Sequence, residues 1–328
     1  MSIAPVGLLG AGLIGTALAR RLLAAGFPVH VFDPDAAKAS ALANEGAIPA
    51  PSPEAIARAT RRTIVAVFDT DQVETATEGG EGLAAGWVPS ASPSPGPAPA
   101  PIAICVSTCD PLRIERLAGR LAARGVGFVE CPLSGSSGQV AAGTAAGLVG
   151  GADADVAAVE DVLTVLAPRR FRLGAAGNGN RAKLAINLVL GLNRAALAEG
   201  LVFAEALGLP LDAFLDVARG SAAQSQVMDV KGGKMVSGDF APEGRVRQSA
   251  KDFALIREAA ASTGRHLPLS ALYGELMAGC IAAGEGESDN AAVIAELRRR
   301  SLRHFPITHE ETLSPWPSPG PSTSTPTS

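Results

Sequence analysis

The stretch PVGLLGAGLIGTALA, Pro5–Ala19, decides the fold. Its apolar run Val6–Leu9 predicts a buried strand, and the alanine- and leucine-rich pattern over Gly15–Ala25 predicts a helix. Between them lies a G-x-G-x-x-G turn, whose glycines permit a tight turn, close approach of the backbone to a pyrophosphate, and packing of helix on strand. The first helical N–H groups would face the phosphates. The residues predicted to bind a dinucleotide here are Gly10, Gly12, Leu13, Ile14 and Gly15.

An acidic residue, Asp33, ends the next apolar run in the sequence VHVFDPD. A carboxylate at this place after a glycine-rich turn accepts a hydrogen bond from the ribose 2′-OH and repels a 2′-phosphate. The pattern therefore predicts NAD as the cofactor, with NADP disfavoured. The alternative is a purely structural glycine turn followed by an aspartate that binds nothing.

The first half of the chain alternates short apolar runs with helical patterns, which predicts an α/β domain with a doubly wound, mostly parallel sheet over residues 1–174. A proline-rich surface insertion is expected at about 88–101. Strands are predicted at Val6–Leu9, Val29–Phe32, Thr63–Phe68, Ile102–Ser107, Val126–Glu130 and Gly147–Gly150.

The second half, 175–305, carries helical patterns alone and predicts an all-α domain, followed by a disordered tail over 306–328 that is rich in proline and serine. We expect the long first helix to join the two domains. Helices are predicted at Asn180–Leu207, Pro210–Arg219, Ser221–Val236, Arg247–Ser262, Leu269–Ala283 and Asn290–Arg303.

Composition excludes several classes of partner. The net charge is −4 and the isoelectric point is about 5.7, which disfavours nucleic-acid binding. The apolar N-terminal stretch has no preceding positive charge and is too short to span a membrane, so we expect a cytoplasmic protein without a membrane partner. The four cysteines form no C-x-x-C pair and the four histidines are scattered, so no metal site is expected.

A second motif, GAAGNGNRAKLAINLVL, spans Gly174–Leu190. Its Lys183 and Asn187 are four residues apart and share one face of a helix that is otherwise apolar. Polar groups in such surroundings are costly to bury without partners. Taken alone, the pattern also fits a solvated lysine near a helix start.

Several motifs together resemble the β-hydroxyacid dehydrogenase family, which includes 3-hydroxyisobutyrate dehydrogenase and tartronate semialdehyde reductase and belongs to the 6-phosphogluconate dehydrogenase-like proteins. Gly177-x-Gly179-x-x-x-Lys183-x-x-x-Asn187 resembles the family's catalytic signature. ECPLSGSSGQVAAGTAAGLVGG, from Glu130, resembles its substrate loop, while STCDP and KDFAL resemble two further motifs. These matches are collinear over about residues 5 to 303.

The resemblance implies an NAD-dependent oxidoreductase that moves hydride between nicotinamide and a small hydroxy acid or semialdehyde. Lys183 is expected to give or take the proton, and Asn187 is expected to position Lys183 or the substrate. Ser134, Gly135 and Ser136 are expected to hold the substrate carboxylate. Thr108 and Lys251 are expected on the cofactor side, and the family implies a dimer or tetramer.

The sequence also departs from the family pattern. Glu130 replaces the usual aspartate, and Ser136 replaces the last glycine of the substrate loop. The substrate therefore stays open among 3-hydroxyisobutyrate, tartronate semialdehyde, glyoxylate, succinic semialdehyde and a related aldonate. Two alternatives remain: an imine reductase, which usually has aspartate or tyrosine in place of the lysine, and a catalytically inactive dinucleotide-binding module.

Overall fold

The computed structural model of the chain describes residues 3–87 and 99–304. Most of the proline-rich insertion predicted at 88–101 and the whole tail predicted over 306–328 lie outside the described residues. The strands of the first half are β1 Val6–Leu9, β2 Val29–Phe32, β3 Ile48–Pro49, β4 Arg62–Val65, β5 Ile102–Cys105, β6 Gly127–Glu130, β7 Leu133–Ser134, β8 Ala146–Gly151 and β9 Arg169–Arg172.

These strands form one sheet of order β3-β2-β1-β4-β5-β6-β8-β7, with β9 paired to β8. The first six strands run parallel, β8 is antiparallel to β6, and β9 is parallel to β8. The sheet is therefore the mostly parallel, doubly wound one that the sequence predicted. Strand order reverses between β1 and β4, and a crevice opens beyond the carboxyl ends of strands at such a point.

Short helices cover both faces of the sheet and bury two apolar layers against it. Val6 and Leu8 of β1 are fully buried. The helices are α1 Leu13–Ala24, α2 Ala36–Ala43, α3 Pro53–Ala59, α4 Thr70–Glu78, α5 Leu83–Gly86, α6 Pro111–Ala122, α7 Ser137–Ala141, α8 Asp153–Ala158 and α9 Glu160–Leu166.

Two predicted strands extend too far. The runs predicted at Thr63–Phe68 and Ile102–Ser107 leave the sheet after Val65 and Cys105, because the backbone beyond these residues forms loops. The Ser107 hydroxyl joins these loops, since it accepts from the N–H of Val67 at 3.0 Å and donates to the carbonyl of Val67 at 2.7 Å.

Three strands were missed, because β3 and β7 are too short to show alternation and the charged sequence of β9 gives no apolar pattern. In β9, Arg170 is paired with Glu160, and Arg172 donates to Asp153 at 2.8 Å. Pro101, directly before β5, is buried, and its carbonyl accepts from Gly127 N–H at 2.8 Å.

After residue 174 the named elements among the described residues are helical, as expected for an all-α domain, with one apolar core of their own. A π-helical turn at Met228–Gly232 and a 3₁₀ turn at Asn290–Ala292 interrupt the α-helices. The α-helices are α10 Asn178–Ala206, α11 Leu211–Arg219, α12 Gly233–Ser237, α13 Val246–Ser262, α14 Pro268–Ala282 and α15 Val293–His304.

The helix predicted over Ser221–Val236 was wrong in its first part. Ser221 forms local hydrogen bonds instead: its hydroxyl donates to Ala218 C=O at 3.0 Å and accepts from Ala223 N–H at 3.1 Å. Such side-chain bonds to nearby backbone compete with helix formation. Gln226 and Val227, which begin the helical turn after this segment, lie in the wall of the main cleft.

The buried carboxylate of Glu130 joins the two domains. It ends β6 and accepts hydrogen bonds from Gly179 N–H at 2.7 Å, Asn180 N–H at 3.1 Å and Asn180 Nδ2 at 2.7 Å. Burial raises the pKa of Glu130, while these hydrogen bonds oppose the rise. The carboxylate thus satisfies N–H groups at the start of α10 that have no partner within the helix.

Glu130→Ala is expected to lower the free energy of unfolding by about 3 kcal/mol, because it leaves buried N–H groups without partners. Urea unfolding monitored by circular dichroism measures this loss. The matched control is Glu115→Ala on α6. It removes a surface carboxylate that lies 2.6 Å from Arg181, a residue of the first turn of α10. It should cost less than about 1 kcal/mol. Equal losses in the two variants would show that Glu130 does not fix the helix.

Candidate active site between the sheet and the helical domain

A cleft of about 1000 Å³ lies between the carboxyl edge of the sheet and the helical domain. It begins at the β1–β4 switch point and continues along α10. The cleft brings together most of the residues predicted from sequence. Those that line it are Gly10, Gly12, Leu13, Ile14, Asp33, Thr108, Ser134, Gly135, Ser136, Lys183 and Asn187.

The three glycines of the first turn have different physical roles. Gly10 has a φ of +92°, and a side chain there would meet the Ala66 carbonyl. A Cβ at Gly15 would collide with the Gly10 carbonyl, so this glycine packs helix on strand behind the cleft wall. A Cβ at Gly12, in contrast, would meet no atom within 4 Å. The open space at Gly12 fits a group that approaches the backbone from the cleft.

Asp33 is fixed beside this turn. One carboxylate oxygen accepts from Ala11 N–H at 2.8 Å and the other from Asp35 N–H at 2.9 Å. The half-exposed Lys38, which sequence reasoning did not single out, lies 3.8 Å from Asp33 and 3.5 Å from Asp35. The carboxylate stands where a ribose of a bound dinucleotide would be recognised.

Lys183 projects from α10 into the cleft and is only 7% exposed. Its ammonium donates to the Leu133 carbonyl at 2.7 Å, which places it next to β7. Burial lowers the pKa of Lys183 to about 8; Asp252 raises it, and the positive charges of Lys251 and Arg194 lower it. A lysine with this pKa exchanges its proton near neutral pH.

Asp252 organises the side chains around Lys183, and sequence reasoning missed it although it follows Lys251 in KDFAL. Its carboxylate accepts from Asn187 Nδ2 at 2.8 Å and from Gln248 Nε2 at 3.2 Å. It also lies 3.0 Å from the Lys251 ammonium. The carboxylate therefore holds Asn187 on the cleft side of α10.

Lys251 lies behind the cleft wall rather than on it. Its ammonium donates to the Thr108 carbonyl at 2.5 Å and lies 5.6 Å from the centre of the Phe68 ring. The contact with Thr108 is through its backbone, not its hydroxyl. Lys251 thus ties α13 to the loops that follow β4 and β5.

The loop Ser134–Ser136 lines the cleft beside Lys183. Gly135 packs closely, since a Cβ there would lie 2.9 Å from that of Ala145. The Ser136 hydroxyl accepts from Gln139 N–H at 3.3 Å, and Ser136 N–H donates to Gln139 Oε1 at 2.9 Å, which together cap α7. The hydroxyl keeps its own hydrogen as a donor. Whether these serines hold a carboxylate stays a prediction.

The arrangement fits a nicotinamide dinucleotide. Gly12 leaves room for the pyrophosphate, the first turn of α1 offers N–H groups, and Asp33 offers a carboxylate for the ribose. Within residues 3–87 and 99–304, no three His, Cys, Asp or Glu side chains are grouped so as to hold a metal ion. Fold and cleft define a Rossmann-type dinucleotide-binding protein with a buried lysine at the far side of the cofactor site.

Comparison with known proteins narrows this class. Residues 5–174 match the model of the NAD-binding domain of 6-phosphogluconate dehydrogenase. Residues 177–297 match that of the NAD-binding domain of NADP-dependent 3-hydroxyisobutyrate dehydrogenase. L-threonate dehydrogenase of Cupriavidus necator is 30% identical over 290 residues, which cover 88% of this chain and 94% of that protein.

Solved structures give the same result. A 3-hydroxyisobutyrate dehydrogenase from Salmonella typhimurium superposes with a TM-score of 0.79 at 26% identity, covering 89% of this chain and 99% of the other. Psf3, solved with NADP⁺ and 2-OPP, superposes with a TM-score of 0.80 at 28% identity and the same coverage. The chain belongs to the β-hydroxyacid dehydrogenase family and is an NAD(P)-binding oxidoreductase of that type.

Proposed function

We propose that this protein is an NAD-preferring dehydrogenase, similar to 3-hydroxyisobutyrate dehydrogenase, that interconverts a small hydroxy acid and its semialdehyde. The buried Lys183 in the cleft is the observation that carries the proposal. Its pKa of about 8 suits proton transfer in either direction at physiological pH. A protein that only binds a dinucleotide has no need to bury a lysine at this cost.

A dinucleotide held at the glycine turn and Asp33 would supply or accept the hydride at the substrate carbon. Lys183 donates its proton to the substrate oxygen during reduction and, as the neutral amine, removes the hydroxyl proton during oxidation. Its charge also stabilises the developing oxyanion. Asn187, held by Asp252, positions the reacting oxygen, and the Ser134–Ser136 loop binds the carboxylate through hydroxyl and N–H donors.

Lys183→Met is expected to lower kcat by about two to four orders of magnitude, the usual scale for a lost general acid. Binding of NADH, titrated by its fluorescence, should change little, because the glycine turn and Asp33 lie on the other domain. A variant that keeps most of its kcat would remove Lys183 from the mechanism, whereas a wild type without turnover on these substrates would favour the inactive binding module.

The pH dependence should follow the pKa of Lys183, which is about 8 in the folded protein. Oxidation needs the neutral amine, so its kcat/KM should rise with pH and level off above about 8. Reduction needs the ammonium and should fall over the same range. In Asp252→Asn both midpoints should move to lower pH, because the Asp252 carboxylate raises the lysine pKa. The matched control, Asp239→Asn on an exposed loop, should leave the midpoints in place; unshifted midpoints in Asp252→Asn would contradict the assignment.

NAD is proposed as the preferred cofactor because Asp33 would face a 2′-phosphate with a fixed negative charge. The ammonium of Lys38, beside Asp33, would attract a 2′-phosphate and so favours NADP. Its ammonium is held by Asp33 and Asp35. While both carboxylates are present, the balance of charge favours a free 2′-hydroxyl.

Asp33→Ser is expected to change the ratio of kcat/KM for NAD to that for NADP by at least about 10-fold towards NADP, which corresponds to about 1.4 kcal/mol. Initial rates with each cofactor measure it. In Asp33→Ser/Lys38→Met the gain should be reduced, since the cation that would meet the 2′-phosphate is absent. A wild-type enzyme that uses NADP as well as NAD would refute the preference.

We also propose that the chain forms a homo-oligomer through its helical domain. The long helix α10 is apolar enough to span a membrane by length and composition alone, and much of it is uncovered. The same helix carries Lys183 and Asn187 into the cleft, which a membrane-spanning helix could not do. We therefore propose that a second copy of the chain covers its exposed apolar side chains. Large apolar side chains at least half exposed among the described residues of this domain are Val189, Phe203, Leu207, Val217, Leu269, Leu272 and Leu302.

Phe203, which is 65% exposed, tests the oligomer. Phe203→Lys should shift the sedimentation coefficient towards that of a monomer, because a buried lysine without a partner is unfavourable in an interface. The matched control is Leu112→Lys on α6 of the sheet domain, where Leu112 is 47% exposed. Sedimentation of the wild type as a monomer would overturn the proposal.

A further inference from the structure

The end of the cleft away from the glycine turn contains an arginine without a counterion. Arg194 lies about three turns beyond Lys183 on α10 and on the same face. Its positive charge is close enough to contribute to the lowered pKa of Lys183. Both side chains line the same cleft.

Arg194 is held in place by an uncharged partner. Its Nη1 donates to the hydroxyl of Tyr273 at 2.5 Å. Tyr273 is 1% exposed, and its ring packs against Phe253 with the ring centres 4.2 Å apart. The Nε of Arg194 is buried and has no hydrogen-bond partner among the described residues.

Lys231, Arg245 and Arg247, which also line the cleft, each contact a carboxylate. Lys231 contacts both oxygens of the buried Asp289 at 2.8 and 2.7 Å. Arg245 and Arg247 both pair with Glu287, at 3.0 and 2.7 Å. In the part of the chain that the structure describes, no carboxylate lies within 4 Å of Arg194.

We propose that Arg194 binds a second anionic group of the substrate. This inference rests on the proposed function, in which the Ser134–Ser136 loop holds the first carboxylate and Lys183 holds the reacting oxygen. The substrates are then small hydroxy acids or semialdehydes whose side chain ends in a carboxylate or another oxyanion. A guanidinium matches such a group with parallel N–H donors, and the low exposure of the cleft strengthens the pair.

The test compares 3-hydroxypropanoates that differ only at C2: one carries a propyl group, one a 2-carboxyethyl group and one a 2-sulfoethyl group. Wild-type kcat/KM should favour an anionic side chain over propyl by at least about 10-fold, and the two anionic compounds distinguish carboxylate from sulfonate recognition. Arg194→Met should abolish this preference through KM, with each enzyme assayed at its own pH optimum because the charge of Arg194 also lowers the pKa of Lys183. Wild-type preference of less than about 2-fold, or equal losses on all three compounds, would overturn the proposal.

Two further variants control for charge and folding. Arg298→Met on α15 removes the same charge from the same domain at an exposed pair with Glu205, so the preference should be unchanged. Arg194→Gln retains an N–H donor for the Tyr273 hydroxyl. It replaces Arg194→Met in the substrate comparison if the methionine variant does not fold. Tyr273→Phe should weaken the preference less than either Arg194 variant, because it only frees the guanidinium.

A binding measurement separates this inference from the proposed function. Calorimetric titration of the NADH-loaded enzyme with glutarate and with butyrate requires no turnover. If none of the compounds is oxidised but glutarate binds more tightly in an Arg194-dependent way, the proposed function fails and the anion site stands. If all compounds are oxidised equally well and glutarate shows no advantage, the function stands and the anion site does not.

Discussion

The buried carboxylate of Glu130 determines where the lysine of the cleft lies. A fully buried carboxylate is tolerated only when its oxygens are hydrogen-bonded, and here the donors come from the first turn of α10. Glycines make room for it: a Cβ at Gly179 would lie 3.0 Å from the carboxyl carbon, and a Cβ at Gly150 would collide with the carboxylate oxygen Oε1. The register of α10 on the sheet is thereby fixed, and Lys183 follows about one turn later.

The register also explains the electrostatics of the cleft. The ammonium of Lys183 reaches a backbone carbonyl rather than a carboxylate, so burial dominates and lowers its pKa. Asp252 acts from further away and shares its oxygens among Asn187, Gln248 and Lys251. A direct ion pair would hold the proton too firmly for exchange near neutral pH. The position that the Glu130 contact gives to Lys183 therefore determines the pKa of the lysine as well as its place in the fold.

The amino-acid sequence predicted those features of the site that depend only on residues close together in the chain. The glycine turn, Asp33, and the shared face of Lys183 and Asn187 follow from spacing along the chain. The same helical period also places Arg194 on that face, and it could have been found in this way. Asp252 and the role of Glu130 could not, because both depend on which distant donors the fold brings to a carboxylate. The strands β7 and β9 were missed because pairing with β8, not their own sequence, makes them strands.

The two strands predicted too long show how the fold couples the domains. The backbone beyond Val65 and Cys105 is free of the sheet ladder, so its carbonyls and side chains can meet the helical domain. Lys251 uses both loops, with its ammonium on the Thr108 carbonyl and beside the Phe68 ring, while its neighbour Asp252 holds Asn187. One turn of α13 thus contacts the loops after β4 and β5 and the helix that carries Lys183. Any shift of the helical domain relative to the sheet changes both sides of the reaction together, which is the constraint that a hydride transfer with a coupled proton transfer requires.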